Sequence, residues 1–140
     1  MEATLVWTGD GVRFAAETTR GPVTPVGSEE DTTSPMALLL EAVAGCFSID
    51  AIGILQKQRV GLLEYRVAAH GERVDDGRAK PYSEIVLTVS VVTEQALTRE
   101  QSDRVVELGL EYCSVSKSLK APVRVRIEAS VRDTMTRLDS

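Results

Sequence analysis

SPMALLLEAVAGCFSIDAIGILQKQR, residues 34–59, decides the fold. It is the only long helical run in the chain that is apolar on nearly every side, and it carries Cys46 near its middle. Ser34 suits an N-cap and Pro35 the first helical position, where no N–H is needed. Lys57 and Arg59 place cations at the negative end of the dipole. A helix of about 23 residues would be ~35 Å long, enough to run through the centre of a small domain. Glu41 and Asp50 interrupt the apolar run and argue against a membrane span.

The flanking segments alternate between strand and helix signals. Ala3–Thr8 and Val12–Thr18 surround the turn Gly9-Asp10-Gly11 and predict a hairpin. Pro22 and Pro25 restrict the next segment to an edge strand or extended loop, and GSEEDTT (27–33) is an acidic approach to the Ser34 cap. Leu62–His70 and Glu84–Val92 predict a second hairpin around a polar connector, 71–83. In the latter strand Ile85, Leu87, Val89 and Val91 share one face. Thr98 with Gln101 forms a capping box for a helix running through Val105, Val106, Leu108 and Leu110. Near Tyr112-Cys113-Ser114 we expect a break, with Ser114 capping a short turn through Leu119. Pro122 then ends the helical segment, and Val123–Val131 closes as a strand.

The order is hairpin, long helix, hairpin, helix, strand, which predicts an α+β fold in a single domain over 1–140. A helix apolar around most of its circumference needs cover on more than one side. Ala42, Gly45 and Gly53 lie along one side at spacings that would let another helix approach closely. We therefore expect a second copy of the chain to supply the missing cover, as an obligate homodimer.

Composition narrows the function classes. The 140 residues are 43% hydrophobic and 26% charged, with a net charge of −5. A pI near 4.9 gives no electrostatic case for nucleic acid or an acidic membrane surface as partner. No signal-peptide pattern precedes the first strand, so the expected setting is cytoplasmic. Two cysteines, far apart in sequence, make neither a disulfide scaffold nor a metal site. No Gly-rich phosphate loop is present either, and no cofactor or metal is expected.

The two thiols are the chemical lead. Cys46 alone reads as a small buried hydrophobe or, if a cation comes from a distant part of the fold, as a reactive thiolate. Asp50, one turn on, would disfavour the thiolate if it faced the same way. Cys113 reads as a half-buried cysteine at a helix kink or, at the positive end of the expected Ser114 turn and near Lys117, as a thiol of lowered pKa. His70, the one histidine, is expected at the surface rather than in a Cys–His dyad.

Ser34-Pro35-Met36 opening the long helix, Ala44-Gly45-Cys46 within it and Tyr112-Cys113-Ser114-Val115-Ser116 at the kink together resemble the OsmC/Ohr family of thiol-dependent hydroperoxide reductases. The resemblance covers essentially the whole chain. It implies an OsmC-like fold, an intertwined homodimer with its central helices packed between sheets and two active sites at the subunit interface. It also implies that Cys46 is the peroxidatic cysteine and Cys113 the resolving one. An arginine from the N-terminal β region would stabilise the thiolate, with Arg13 preferred over Arg20. The implied partners are a small organic hydroperoxide and a dithiol reductant.

Two departures from the family pattern stand out. Met36 occupies the position where many peroxidase members carry a glutamate that pairs with the arginine, leaving Glu41 or Glu30 as substitutes. Asp50 is also unusual, and with the Ser34-Pro35-Met36 opening it points to a less characterised branch. The alternative function is a dimeric module whose apolar pocket binds a small hydrophobic ligand, with Cys46 as lining.

Overall fold

A computed structural model of the chain describes residues 2–9, 11, 14–17 and 34–132. The elements run β1 (Glu2–Trp7), β2 (Phe14–Glu17), α1 (Pro35–Lys57), β3 (Leu62–Arg73), β4 (Tyr82–Thr93), α2 (Arg99–Glu111), α3 (Ser114–Lys117) and β5 (Val123–Val131). The five strands form one sheet in the order β2-β1-β3-β4-β5. The expected α+β order is therefore observed. The segment containing Pro22 and Pro25 and the acidic approach to Ser34 lie outside the described residues.

The capping signals act as anticipated. The Ser34 hydroxyl accepts from the backbone N–H groups of Met36 and Ala37 at 3.1 and 3.4 Å, with Pro35 at the helix start. Thr98 and Gln101 exchange the reciprocal bonds of a capping box, at 3.0 and 3.1 Å. α1 ends at Lys57, and Arg59 lies beyond it at φ 56°, a left-handed turn that directs the chain into β3.

Pairing in the sheet goes beyond simple hairpins. β1 is antiparallel to both β2 and β3, and β3 is antiparallel to β4. β4 and β5, however, run parallel, in register from Ile85↔Val123 to Thr93↔Val131. Parallel neighbours need a crossover, and α2 with α3 provides it. The C-terminal part is thus a β-α-β unit appended to an antiparallel meander, a feature not anticipated from the order of elements.

Alternation puts Tyr65, Val67 and Ala69 of β3 and Ile85, Leu87, Val89 and Val91 of β4 on the buried face of the sheet. Against it α1 lays Leu40, Val43, Ala44, Phe47, Ala51, Ile52 and Leu55, all at 0–1% exposure. α1 is long and apolar enough to cross a membrane by length and composition alone. Here its buried arc is that of a core helix.

The small residues of α1 divide between two surroundings. A Cβ on Gly45 would meet Leu5 of β1 at 3.4 Å, so Gly45 faces a strand. Gly53 faces open space, Ala42 is exposed, and Ile49 between them is 46% exposed. The close approach of two helices within the chain is instead made by Gly109 of α2. A Cβ there would lie 2.4 Å from the Phe47 ring, an overlap that a fully buried aromatic cannot relieve by a small rotation.

This contact sets a sign. Alanine in place of glycine inside a helix gains up to ~1 kcal/mol from propensity, whereas overpacking a core costs about 1–3 kcal/mol. Gly109→Ala is therefore expected to lower the urea midpoint, and Phe47→Leu in the same chain to restore part of the loss. A stabilised Gly109→Ala protein would contradict this packing of α2 on Phe47.

Candidate functional site

The two cysteines, 67 positions apart by their numbers (113 − 46), meet where α1, α2 and α3 converge. Cys46 is partly exposed, on the border between the buried arc of α1 and its open stripe of Ala42, Ile49 and Gly53. Cys113 is fully buried. Cys46 is near enough to push the Cys113 thiol pKa up, and neither is in a disulfide.

Cys113 itself, not Ser114, is the N-cap of α3, with its sulfur accepting from the Ser116 N–H at 3.4 Å. Ser116 returns a bond from its hydroxyl to the Cys113 carbonyl at 3.1 Å. Capping thus places a sulfur where a serine oxygen was expected. The electrostatic consequence also runs against the reading of a lowered pKa. Burial pushes the Cys113 thiol up, the Ser116 hydroxyl and N–H pull it back, and the neighbouring Cys46 pushes it up again. The net direction is upward, because loss of water and a second sulfur outweigh one short helical turn.

A buried polar link braces the same region. Tyr65 of β3 donates to the Ser48 hydroxyl at 2.7 Å, two residues after Cys46, and both side chains are buried. It ties the centre of α1 to the sheet, and burial drives the Tyr65 phenol far up, out of the physiological range. No periodicity marks this pair in the sequence. Gly109 is different, since a glycine inside a helical pattern signals a close approach.

Of the remaining candidates, Arg13 and Arg20 lie outside the described residues, as does Glu30. Glu41 is on α1, and its buried Oε1 has no hydrogen-bond partner among the described residues; burial raises its pKa. His70 is on the surface, 2.6 Å from Glu72 through Nε2 and Oε1, and takes no part in the thiol cluster. Among the described residues no group of three or more His, Cys, Asp or Glu is placed to hold a metal.

The family pattern described as OsmC-like protein matches residues 27–128. The chain belongs to the OsmC family. Protein YhfA of Escherichia coli K12 is 31% identical over 128 residues, covering 89% of this chain and 93% of that one. The organic hydroperoxide resistance protein-like 2 of Staphylococcus saprophyticus is 26% identical over 108 residues, covering 75% and 72%. Among solved structures, an OsmC-like protein of unknown function from Vibrio cholerae superposes with a TM-score of 0.66 at 19% identity, covering 90% of this chain and 97% of that one. The last likeness concerns the fold alone. The OsmC family thus includes proteins named for hydroperoxide resistance and proteins named without an activity, and this chain has relatives of both kinds.

The raised Cys113 has a pH signature. An unfolded chain releases that thiol proton at a lower pH than the folded one, so its contribution to stability is complete below the ordinary thiol pKa. It is lost as pH rises through and beyond that value. Urea denaturation between about pH 8 and 9.5, below the tyrosine range, should show stability falling with pH in the native sequence. Cys113→Ala should flatten that fall; an unchanged slope would contradict an upward shift of this thiol.

Proposed function

We propose that this OsmC-family protein reduces organic hydroperoxides through a Cys46–Cys113 dithiol cycle, in oxidative-stress defence within a reducing cytoplasm. The single observation that supports this most is the meeting of a partly exposed thiol with a buried one at the end of a separate element.

In the proposed cycle the Cys46 thiolate attacks the peroxide O–O bond. One oxygen passes to sulfur to give a sulfenic acid, and the other leaves with a proton as the alcohol. The Cys113 thiol then condenses with the sulfenic acid, releasing water and forming a disulfide. A dithiol reductant restores both thiols and is itself oxidised. Burial and Cys46 raise the Cys113 pKa, so this thiol gives up its proton as it attacks, and that proton leaves with the sulfenic oxygen as water. Arg13, or else Arg20, would supply the guanidinium that holds the thiolate and orients the peroxide.

The working unit in this proposal is a homodimer. Cys46 borders a stripe of α1 where Ala42 and Ile49 are exposed and Gly53 faces open space, and a second copy would cover it. The second reading, a ligand-binding relative with little or no turnover, is favoured by an apolar cleft lined by Met36, Leu39 and Leu119, although Cys46, expected as lining, is not among its residues.

One equivalent of an alkyl hydroperoxide should lower the protein mass by two hydrogens in intact-mass spectrometry. Cys46→Ser should abolish this change, and Cys113→Ser should instead add one oxygen. Unchanged mass with both thiols free would rule out the cycle. In sedimentation at low micromolar concentration the protein should run as a dimer, and a folded monomer would refute the assigned stripe.

A further inference from the structure

A cleft of about 380 Å³ opens beside the first turn of α1, at the far end of that helix from the residues after Cys46. Its floor is apolar, with Met36 and Leu39 from α1 and Leu119 from the segment after α3. Arg73, Lys80 and Lys120 also line it. Met36 is ten residues before Cys46, about 15 Å along the helix axis at the usual rise. The cleft is thus set apart from the thiols along α1.

Its wall is fixed. The buried Tyr82 donates from its hydroxyl to the Met36 carbonyl at 2.7 Å, and its ring lies over Gly71, where a Cβ would come within 2.4 Å. The same bond uses the Tyr82 hydroxyl, so that group is already satisfied within the protein. Arg73 donates from Nε to the Lys80 carbonyl at 2.8 Å, holding the two sides of the β3–β4 connection together.

The charges at this cleft are one-sided. Among the described residues no carboxylate lines it, and none forms an ion pair with Arg73, Lys80 or Lys120. Of the acids on the flanking strands, Glu72 pairs with His70 and Glu84 with Arg124, the latter at 2.8 Å, while Asp75 and Asp76 lie on the β3–β4 connection without lining the cleft. Three cations without an ion-pair partner among the described residues, around an apolar floor, stand out in a chain of net charge −5. A neutral hydrocarbon would leave those cations without a partner, and a small hydrophilic anion would leave the floor wet. The volume falls in the small-molecule range of about 300–1,000 Å³.

We propose that this cleft binds a single-chain aliphatic carboxylate, its tail on Met36, Leu39 and Leu119 and its head among Arg73, Lys80 and Lys120. The proposal stands independently of the peroxide cycle, because the ligand contains no O–O bond and reacts with neither thiol. Binding is strongest at low ionic strength, since the cations are exposed to screening.

The full chain is titrated calorimetrically at pH 8 with decanoate below its micelle concentration, and with 1-decanol and decyltrimethylammonium as neutral and cationic counterparts. Decanoate should bind saturably, one per chain and at least tenfold more tightly than either counterpart. Lys80→Glu with Lys120→Glu, both at exposed positions, should remove that preference and leave decanol binding unchanged. Cys46→Ser should bind decanoate as the native sequence does, so failure of the redox cycle leaves this result readable. Equal binding of all three amphiphiles, or decanoate binding indifferent to the charge reversals, would overturn the proposal. So would absence of saturable binding because a second copy fills the cleft. Retention only by anionic phospholipid vesicles, without uptake of dissolved decanoate, would overturn it too.

Discussion

Where α2 crosses α1, the missing side chain of Gly109 lets the Phe47 ring lie against the second helix. Phe47 immediately follows Cys46, and Gly109 is four residues before Cys113, so this contact governs how closely the two sulfurs can come. A methyl group there would push the helices apart by more than the slack of a close-packed interior allows. The Tyr65–Ser48 bond braces the same stretch of α1 against the sheet. The thiol cluster is therefore held by a helix–helix contact on one side and a helix–sheet hydrogen bond on the other.

The two cysteines differ in environment more than in neighbouring sequence. Cys113 is enclosed and capped into α3, while Cys46 stands at the edge of an exposed stripe. Under the proposed cycle this asymmetry would let one sulfur be reached from outside while the other stays enclosed behind it. The same geometry makes the pair sensitive to anything that covers the stripe, because cover would decide what reaches Cys46.

Features encoded within a few residues were legible from the sequence. Ser34-Pro35 and Thr98 with Gln101 open their helices as their side chains dictate, and the alternation in Glu84–Val92 marks the buried face of β4. What escaped depends on contacts between distant segments. The parallel pairing of β4 with β5 follows from the crossover path rather than from any local signal. The direction of the Cys113 shift follows from burial and from Cys46, which outweigh the local turn that pointed the other way. The spacing of Ala42, Gly45 and Gly53 suggested one face, but Gly45 is claimed by Leu5 of β1. The cluster of two thiols was legible only through resemblance, since nothing in the composition brings residues 46 and 113 together.

The parallel placement of β5 leaves that strand at the rim of the sheet, with one row of backbone donors and acceptors unpaired by any neighbouring strand among the described residues. Its exposed positions include Arg124, Arg126 and Glu128, and Arg124 is held by Glu84 on the adjacent strand. Charged side chains along a rim obstruct the docking of foreign strands, because pairing would crowd and partly dehydrate them. The alternation that turns Val123, Val125 and Ile127 inward therefore also protects the chain against edge-to-edge aggregation.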